Sequence, residues 1–157
     1  QRDELRAPSP QAAYRAAEIA ETRRREILAR RGDLATETVF SHPSKLALVE
    51  DARAAGYTVW VMHVGVEDAE ISVARVAWRI AEGGHDVPEE KIRARYARSE
   101  GLIRAAVGLA DMGLVYDNSV AGRPPKLILT FDGGRLAKLR PDPPGWVRRA
   151  YAADLGP

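Results

Sequence analysis

The sequence predicts an α/β layered fold in which a mostly parallel sheet is flanked by helices. Apolar runs with strand character alternate along the chain with longer segments of helical periodicity. One run, Tyr57–Val66 (YTVWVMHVGV), is almost continuously apolar, as expected of a central parallel strand that is covered on both faces. Glycines and prolines separate the segments, and no internal repeat is present. Since ligands bind beyond the carboxyl ends of parallel strands, polar residues at those ends are the candidates for a site.

Composition limits the class of protein. At 157 residues, with 45% hydrophobic and 29% charged residues, the chain is predicted to be one domain over residues 1–157 with a sizeable core. No apolar run reaches membrane-spanning length and no secretion signal is recognised, so a cytoplasmic location without a membrane partner is expected. The absence of cysteine excludes thiolate catalysis, and the three histidines lack metal-ligand spacing, so no metal-ligating residue is predicted.

Helix and strand signals follow one another through the N-terminal half of the chain. Serine is a good N-cap and proline suits the first helical position, so Ser9-Pro10 begins a helix that Gly32 terminates at about Arg31. Leu34–Phe40 (LATETVF) is predicted to be a short buried strand, because Thr, Val and Phe favour a pleated surface. A second helix, about Pro43–Ala55, precedes the central strand.

The segment Arg75–Ser99 (RVAWRIAEGGHDVPEEKIRARYARS) predicts two basic helices joined by a Gly-Gly break. Gly83-Gly84 stops the first helix, about Asp68–Glu82, because glycine adopts the left-handed cap conformation without a steric penalty. The second helix is expected over about Pro88–Ala110, where proline suits the first turn. Helical spacing lines up basic residues that could all face one anion: Arg75, Arg79, Lys91, Arg95 and Arg98. Solvation of these side chains is the alternative explanation.

The C-terminal half predicts a strand, a hairpin and a last helix. These elements are the strand Met112–Tyr116, which ends at Asp117-Asn118-Ser119, the hairpin strands Lys126–Phe131 and Arg135–Leu139, and a helix that opens at Pro143-Pro144. The hairpin is indicated by Asp132-Gly133-Gly134, since glycines allow the tight turn that joins paired strands. Trp60 and Trp78 are expected to be packing residues.

Four segments, taken in order, resemble the zeta-toxin family of small nucleotide kinases. They are ETVFS at Glu37–Ser41, AGYTVWVMHVGV at Ala55–Val66, the Arg75–Ser99 segment and VYDNS at Val115–Ser119, and the similarity runs from the first helix to about Phe131. The resemblance implies a P-loop-kinase-like fold with a helical lid, formed by the two basic helices. It also implies an ATP-dependent kinase that uses Mg²⁺ to phosphorylate a sugar hydroxyl of UDP-N-acetylglucosamine, and a toxin that a small antitoxin protein blocks.

The resemblance assigns roles to residues that match the family's motifs. Arg79 and Arg75 are expected to be catalytic, because they would neutralise charge on the transferred phosphoryl group. Glu37 is expected to orient the substrate or a metal-bound water, with Thr38 beside it. The remaining candidates are Arg95 and Arg98 for the substrate phosphates, and Asp117, Asn118 and His85 for the nucleotide. The structural alternatives are a salt bridge for the glutamate, solvent exposure for the cations and an Asx turn at Asp117-Asn118.

The sequence departs from the family at the phosphate loop. The motif GxxxxGK[ST], which cradles the phosphates of ATP, does not occur here, and neither the strand before it nor the acidic catalytic base finds a match. We expect that N-terminal residues are missing from the sequence, because a sheet without its first, central strand would expose apolar faces. The alternative is a non-catalytic relative that binds a nucleotide or an antitoxin. Nucleic-acid binding has little support, since glutamates interleave with the arginines and the net charge is only +2.

Overall fold

Helices connect and flank a four-stranded sheet in the computed structural model, which describes residues 10–84 and 86–156. The elements of these residues are α1 (Pro10–Ala29), α2 (Ser44–Ala54), β1 (Trp60–Gly65), α3 (Ala69–Ala81), α4 (Glu89–Leu109), β2 (Met112–Asp117), β3 (Lys126–Asp132), β4 (Arg135–Leu139), α5 (Gly145–Ala150) and α6 (Ala152–Leu155). None of the described helices is long and apolar enough to cross a membrane. The backbone falls into two units, Gln1–Glu37 and Thr38–Pro157, while the prediction of one domain over residues 1–157 stays a prediction.

In the first unit, helix α1 ends two residues earlier than its sequence suggested. Arg31 takes the left-handed conformation (φ 55°) that was expected of glycine, and its N–H donates to the carbonyl of Leu28 at 3.0 Å. The N–H of Gly32 donates to the carbonyl of Ile27 at 3.0 Å. These two bonds pair carbonyl groups of the last helical turn with N–H groups beyond the end of the helix.

The predicted strand Leu34–Phe40 is wrong, because this segment has no regular secondary structure. An extended segment becomes a strand only when its N–H and carbonyl groups pair with a neighbouring backbone, and none of the described strands pairs with it. It is also not buried, since Val39 is exposed and Leu34 and Phe40 are only half-buried. Local strand propensity alone therefore did not make this segment a strand.

The sheet lies in the second unit and has the strand order β1-β2-β3-β4. This arrangement confirms the predicted α/β class with a sheet flanked by helices, but the described strands are not mostly parallel. Only β1 and β2 run parallel, while β2–β3 and β3–β4 are antiparallel. The reason is the length of the connections, because a parallel pairing needs a crossover of about a dozen residues or more. The predicted hairpin of β3 and β4 is confirmed, and it turns at Gly133 and Gly134.

The core forms between one face of the sheet and the helices α4, α5 and α6. Its buried members are Val107, Val115, Ile128, Leu129, Phe131, Trp146, Val147 and Tyr151. The opposite face of β1 carries Trp60, Met62 and Val64, all exposed, with Trp60 exposed by 60%. The expectation that Tyr57–Val66 is a central strand covered on both faces is therefore wrong for the described sheet, in which β1 is an edge strand.

One polar side chain of β1 points into this core. His63 is 6% exposed, its Nδ1 is joined to the hydroxyl of Tyr151 by a hydrogen bond of 2.8 Å, and its ring packs edge-on against Trp146 with 5.0 Å between ring centroids. Burial lowers the pKa of His63 from 6.5 to about 4, because the charged imidazolium would lose its hydration. Burial also raises the pKa of Tyr151. His63 is therefore a neutral hydrogen-bonding partner in the core.

We predict that stability falls as the pH drops from about 6.5 to about 4, because unfolded His63 binds a proton there and folded His63 does not. The loss over this interval should reach about 3 kcal/mol. Urea unfolding at about pH 7.5 and about pH 4 measures it, with His63→Gln as the comparison. The variant should lose part of the pH dependence that the parent protein has. An identical pH dependence in both proteins would contradict the assignment.

Candidate active site at the strand ends

The parallel strands β1 and β2 end side by side, at Gly65 and Asp117, which are partners in the register. Two hydrogen bonds join the segments that follow. The N–H of Asn118 donates to the carbonyl of Gly65 at 2.8 Å, and the N–H of Glu67 donates to Ser119 Oγ at 2.9 Å. The carboxyl edge of the parallel pair, where α/β proteins bind ligands, is thus a cross-linked polar surface.

Asp117 is held by two donors at a single oxygen. Its Oδ1 accepts a hydrogen bond from Ser119 Oγ at 2.5 Å and another from Trp146 Nε1 at 2.9 Å. Sequence reasoning placed this residue at the nucleotide and gave a local turn as the alternative. The contacts favour a structural role for the side chain of Asp117, in which it joins β2 to helix α5. Its predicted role toward the nucleotide stays a prediction.

Helix α3 brings Arg75 to this edge. The helix is capped by Asp68, whose Oδ1 accepts a hydrogen bond from the N–H of Ile71 at 3.0 Å. One turn further on, the half-buried Arg75 donates from Nη2 to the backbone carbonyl of Asn118 at 2.5 Å. The structure therefore brings together three of the residues that were predicted from sequence: Arg75, Asp117 and Asn118.

Arg79 lies one turn beyond Arg75, at the capped end of α3, and its side chain is exposed. The helix ends as predicted at Gly83-Gly84: Gly83 takes a left-handed φ of 87° and donates to the carbonyl of Ile80 at 2.9 Å, and Gly84 donates to the carbonyl of Arg79 at 2.7 Å. Trp78, which was expected to pack, is 67% exposed, so that prediction is wrong. It lies on a face of α3 that no described element covers.

Helix α4 contacts α3 through a residue other than those predicted. Arg93 forms a two-point ion pair with Glu70 of α3, with both N–O distances 2.8 Å, and also binds Glu89 at 2.8 Å. Hydrogen bonding from Arg93 lowers the pKa of Glu70. Arg95 and Arg98 lie on a different side of α4 and are exposed. The structure does not bring them to Arg75. The spacing Glu89–Arg93 (i, i+4) is a sequence signal that could have identified Arg93.

Three further residues at the strand ends were missed by sequence reasoning. The hydroxyl of Tyr96 donates to the carbonyls of Val66 at 3.0 Å and Glu67 at 3.1 Å, and burial raises the pKa of Tyr96. Arg149 of α5 donates from Nη1 to Glu67 Oε1 at 3.1 Å and from Nη2 to the Glu67 carbonyl at 2.8 Å. Glu67 had a usable signal, because it directly follows the strand predicted over Tyr57–Val66. Arg149 had none, since it is 82 residues away in the chain.

The structure gives few contacts for the other predicted residues. Glu37 is the last residue of the first unit and Thr38 the first of the second, and both are exposed. The hydroxyl of Thr38 accepts a hydrogen bond of 3.5 Å from the N–H of Phe40. His85 lies outside the described residues. The predicted roles of these three residues therefore rest on sequence alone.

No three His, Asp or Glu side chains converge to hold a metal ion within residues 10–84 and 86–156. Mg²⁺ that is bound to nucleotide phosphates needs only one or two protein carboxylates and keeps several waters.

A layered α/β unit with cations and polar groups at the ends of its parallel strands belongs to the class of α/β proteins that bind ligands at this edge of the sheet. Comparison with family models matches residues 6–119 to the family described as Zeta toxin. Because the match covers well over half of the 157 residues, the chain belongs to the zeta toxin family, whose domain is P-loop kinase-like. Comparisons with curated proteins and with solved structures gave no match.

We predict that Gly84→Ala disrupts the end of α3, because a Cβ at this position would lie 2.6 Å from the carbonyl oxygen of Arg79. The free energy of unfolding in urea should fall by about 1–2 kcal/mol. Gly101→Ala is the matched control, since Gly101 lies inside α4 with open space around the added methyl group. That control should raise stability by up to about 1 kcal/mol. Equal effects of the two substitutions would refute the predicted clash.

Proposed function

We propose that the protein is an ATP-dependent kinase that phosphorylates a hydroxyl of a nucleotide sugar such as UDP-N-acetylglucosamine. We also propose that it acts in the cytoplasm as the toxin of a toxin–antitoxin pair, with a small antitoxin protein as its partner. The observation that carries the proposal is the hydrogen bond from Arg75 to the Asn118 carbonyl, which anchors a guanidinium at the paired ends of β1 and β2. Family membership supports the same class of reaction.

In phosphoryl transfer the protein contributes mainly positioned cations and does little covalent chemistry of its own. Charge spreads over the equatorial oxygens of the transferred group, and positioned guanidinium groups stabilise that charge. A guanidinium has several N–H donors, so the bond from Arg75 to one carbonyl fixes its position and still permits it to bind phosphate oxygens. Arg79, exposed one turn away on α3, is the second cation of this pair and is free to reach toward the phosphates when the lid closes.

The remaining predicted residues take the binding roles in this proposal. Arg95 and Arg98, exposed on α4, would contact the diphosphate of the nucleotide sugar. Since Asp117 Oδ1 already accepts two hydrogen bonds, base recognition by the nucleotide-binding residues would fall mainly to Asn118. Glu37 and Thr38 would orient the acceptor sugar, and His85 would contact a phosphate. ATP would enter as its Mg²⁺ complex.

Incubation of the protein expressed from its complete coding sequence with ATP, Mg²⁺ and UDP-N-acetylglucosamine tests the proposal. We expect a phosphorylated nucleotide sugar and ADP in equal amounts. Arg79→Ala and Arg75→Ala should each lower kcat by about a hundredfold or more, because each removes a cation from the transition state. Arg135→Ala on the exposed strand β4 is the control and should keep full activity. No product from the parent protein, or full activity of Arg79→Ala, would contradict the proposal.

A non-catalytic relative that binds a nucleotide or an antitoxin is the second candidate. It is favoured by one observation, the absence of GxxxxGK[ST] from the 157 residues. Calorimetric titration with ATP and with a non-hydrolysable ATP analogue measures nucleotide binding. A turnover assay on the nucleotide sugar, run beside it, separates the two candidates. Binding of both nucleotides without any turnover on the nucleotide sugar supports the second candidate, whereas turnover excludes it.

A further inference from the structure

Helix α5 lies outside the part of the chain that matches the family, yet it contacts both strand ends of the candidate site. The match ends at residue 119, and α5 spans Gly145–Ala150. Two of its side chains make these contacts: Trp146 bonds to the last residue of β2, and Arg149 bonds to the segment after β1. The geometry of the site therefore depends on residues that the family match does not include.

Trp146 packs against the ends of β1 and β2 from the buried core. It is 2% exposed, and its indole N–H donates to Asp117 Oδ1 at 2.9 Å. Its ring lies directly against the backbone of Gly65, where an added Cβ would come within 2.4 Å of the ring. A single rigid side chain thus fixes the last residue of β1 and the last residue of β2.

Arg149 holds the segment after β1 at two points. It binds the carboxylate of Glu67 at 3.1 Å and the backbone carbonyl of the same residue at 2.8 Å. The N–H of Glu67 in turn donates to Ser119 Oγ at 2.9 Å, so a hydrogen bond joins the segments after β1 and β2. Arg75 donates a hydrogen bond to the carbonyl of Asn118, in the segment after β2.

We propose that Trp146 and Arg149 are positioning residues of the phosphoryl-transfer site, which act through Asp117, Glu67 and Asn118 to fix Arg75. This inference rests on the proposed function for its kinetic consequence and on the described contacts for its structural one. Neither residue needs to touch a substrate. A catalytic group that moves by about 1 Å can lose about a hundredfold in rate, so such supports have a measurable kinetic effect.

Arg149→Met tests the structural consequence without any substrate. Hydrogen exchange should accelerate by about tenfold at the amides of Glu67 and Asn118, while exchange in the hairpin β3–β4 stays unchanged. Arg148→Met is the matched control, because Arg148 is an exposed arginine of the same helix whose side chain bonds only to the carbonyl of Pro143, at 2.9 Å, among the described contacts. The control should leave both amides as they are in the parent protein.

The kinetic arm uses the same variants with ATP, Mg²⁺ and UDP-N-acetylglucosamine. Arg149→Met should lower kcat by about tenfold or more while KM changes little, and Arg149→Lys should restore part of the rate because it can still bind the Glu67 carboxylate. Unchanged local exchange in Arg149→Met, or acceleration throughout the chain, would overturn the inference. An inactive parent protein would instead refute the proposed function, because the exchange result does not depend on turnover.

Discussion

The packing of Trp146 beneath Gly65 is the constraint on which the rest of the second unit depends. This indole fills the core, contacts His63 edge-on at 5.0 Å and places its N–H 2.9 Å from Asp117. Gly65 must be a glycine there, because any side chain would collide with the ring. One side chain thus links the hydrophobic core to the polar edge of the sheet, and a buried N–H that lost its acceptor would cost about 1–3 kcal/mol.

The elements that the sequence predicted correctly are those whose signals are local. Helix α3 ends at Gly83 and the hairpin turns at Gly133-Gly134 because glycine adopts the positive φ angles of these positions without strain. Leu34–Phe40 fails for the opposite reason, since a strand depends on a partner that its own residues do not specify. The apolar run Tyr57–Val66 predicted a strand correctly, but apolar residues do not reveal whether a strand is central or at an edge.

The residues of the candidate site likewise divide into those that could be predicted from the sequence and those that could not. Asp117 and Asn118 could be predicted from their motif and their strand-end position, and Arg75 from its motif alone. The structure places the three residues together. Arg149 and Tyr96 could not be predicted, since only the tertiary fold brings them to Glu67. The basic residues of α4 show the limit of spacing arguments: helical periodicity groups Arg95 with Arg98 but does not say which side of the helix faces the site.

A double-mutant cycle between Trp146→Phe and Asp117→Ala tests most directly whether this contact holds the strand ends together. The free energies of unfolding of the parent protein, the two single variants and the double variant give the coupling between the two side chains. The hydrogen bond from the indole to the carboxylate predicts a coupling of about 1–3 kcal/mol. Strictly additive single effects would show that the two side chains stabilise the protein independently, and would contradict the account.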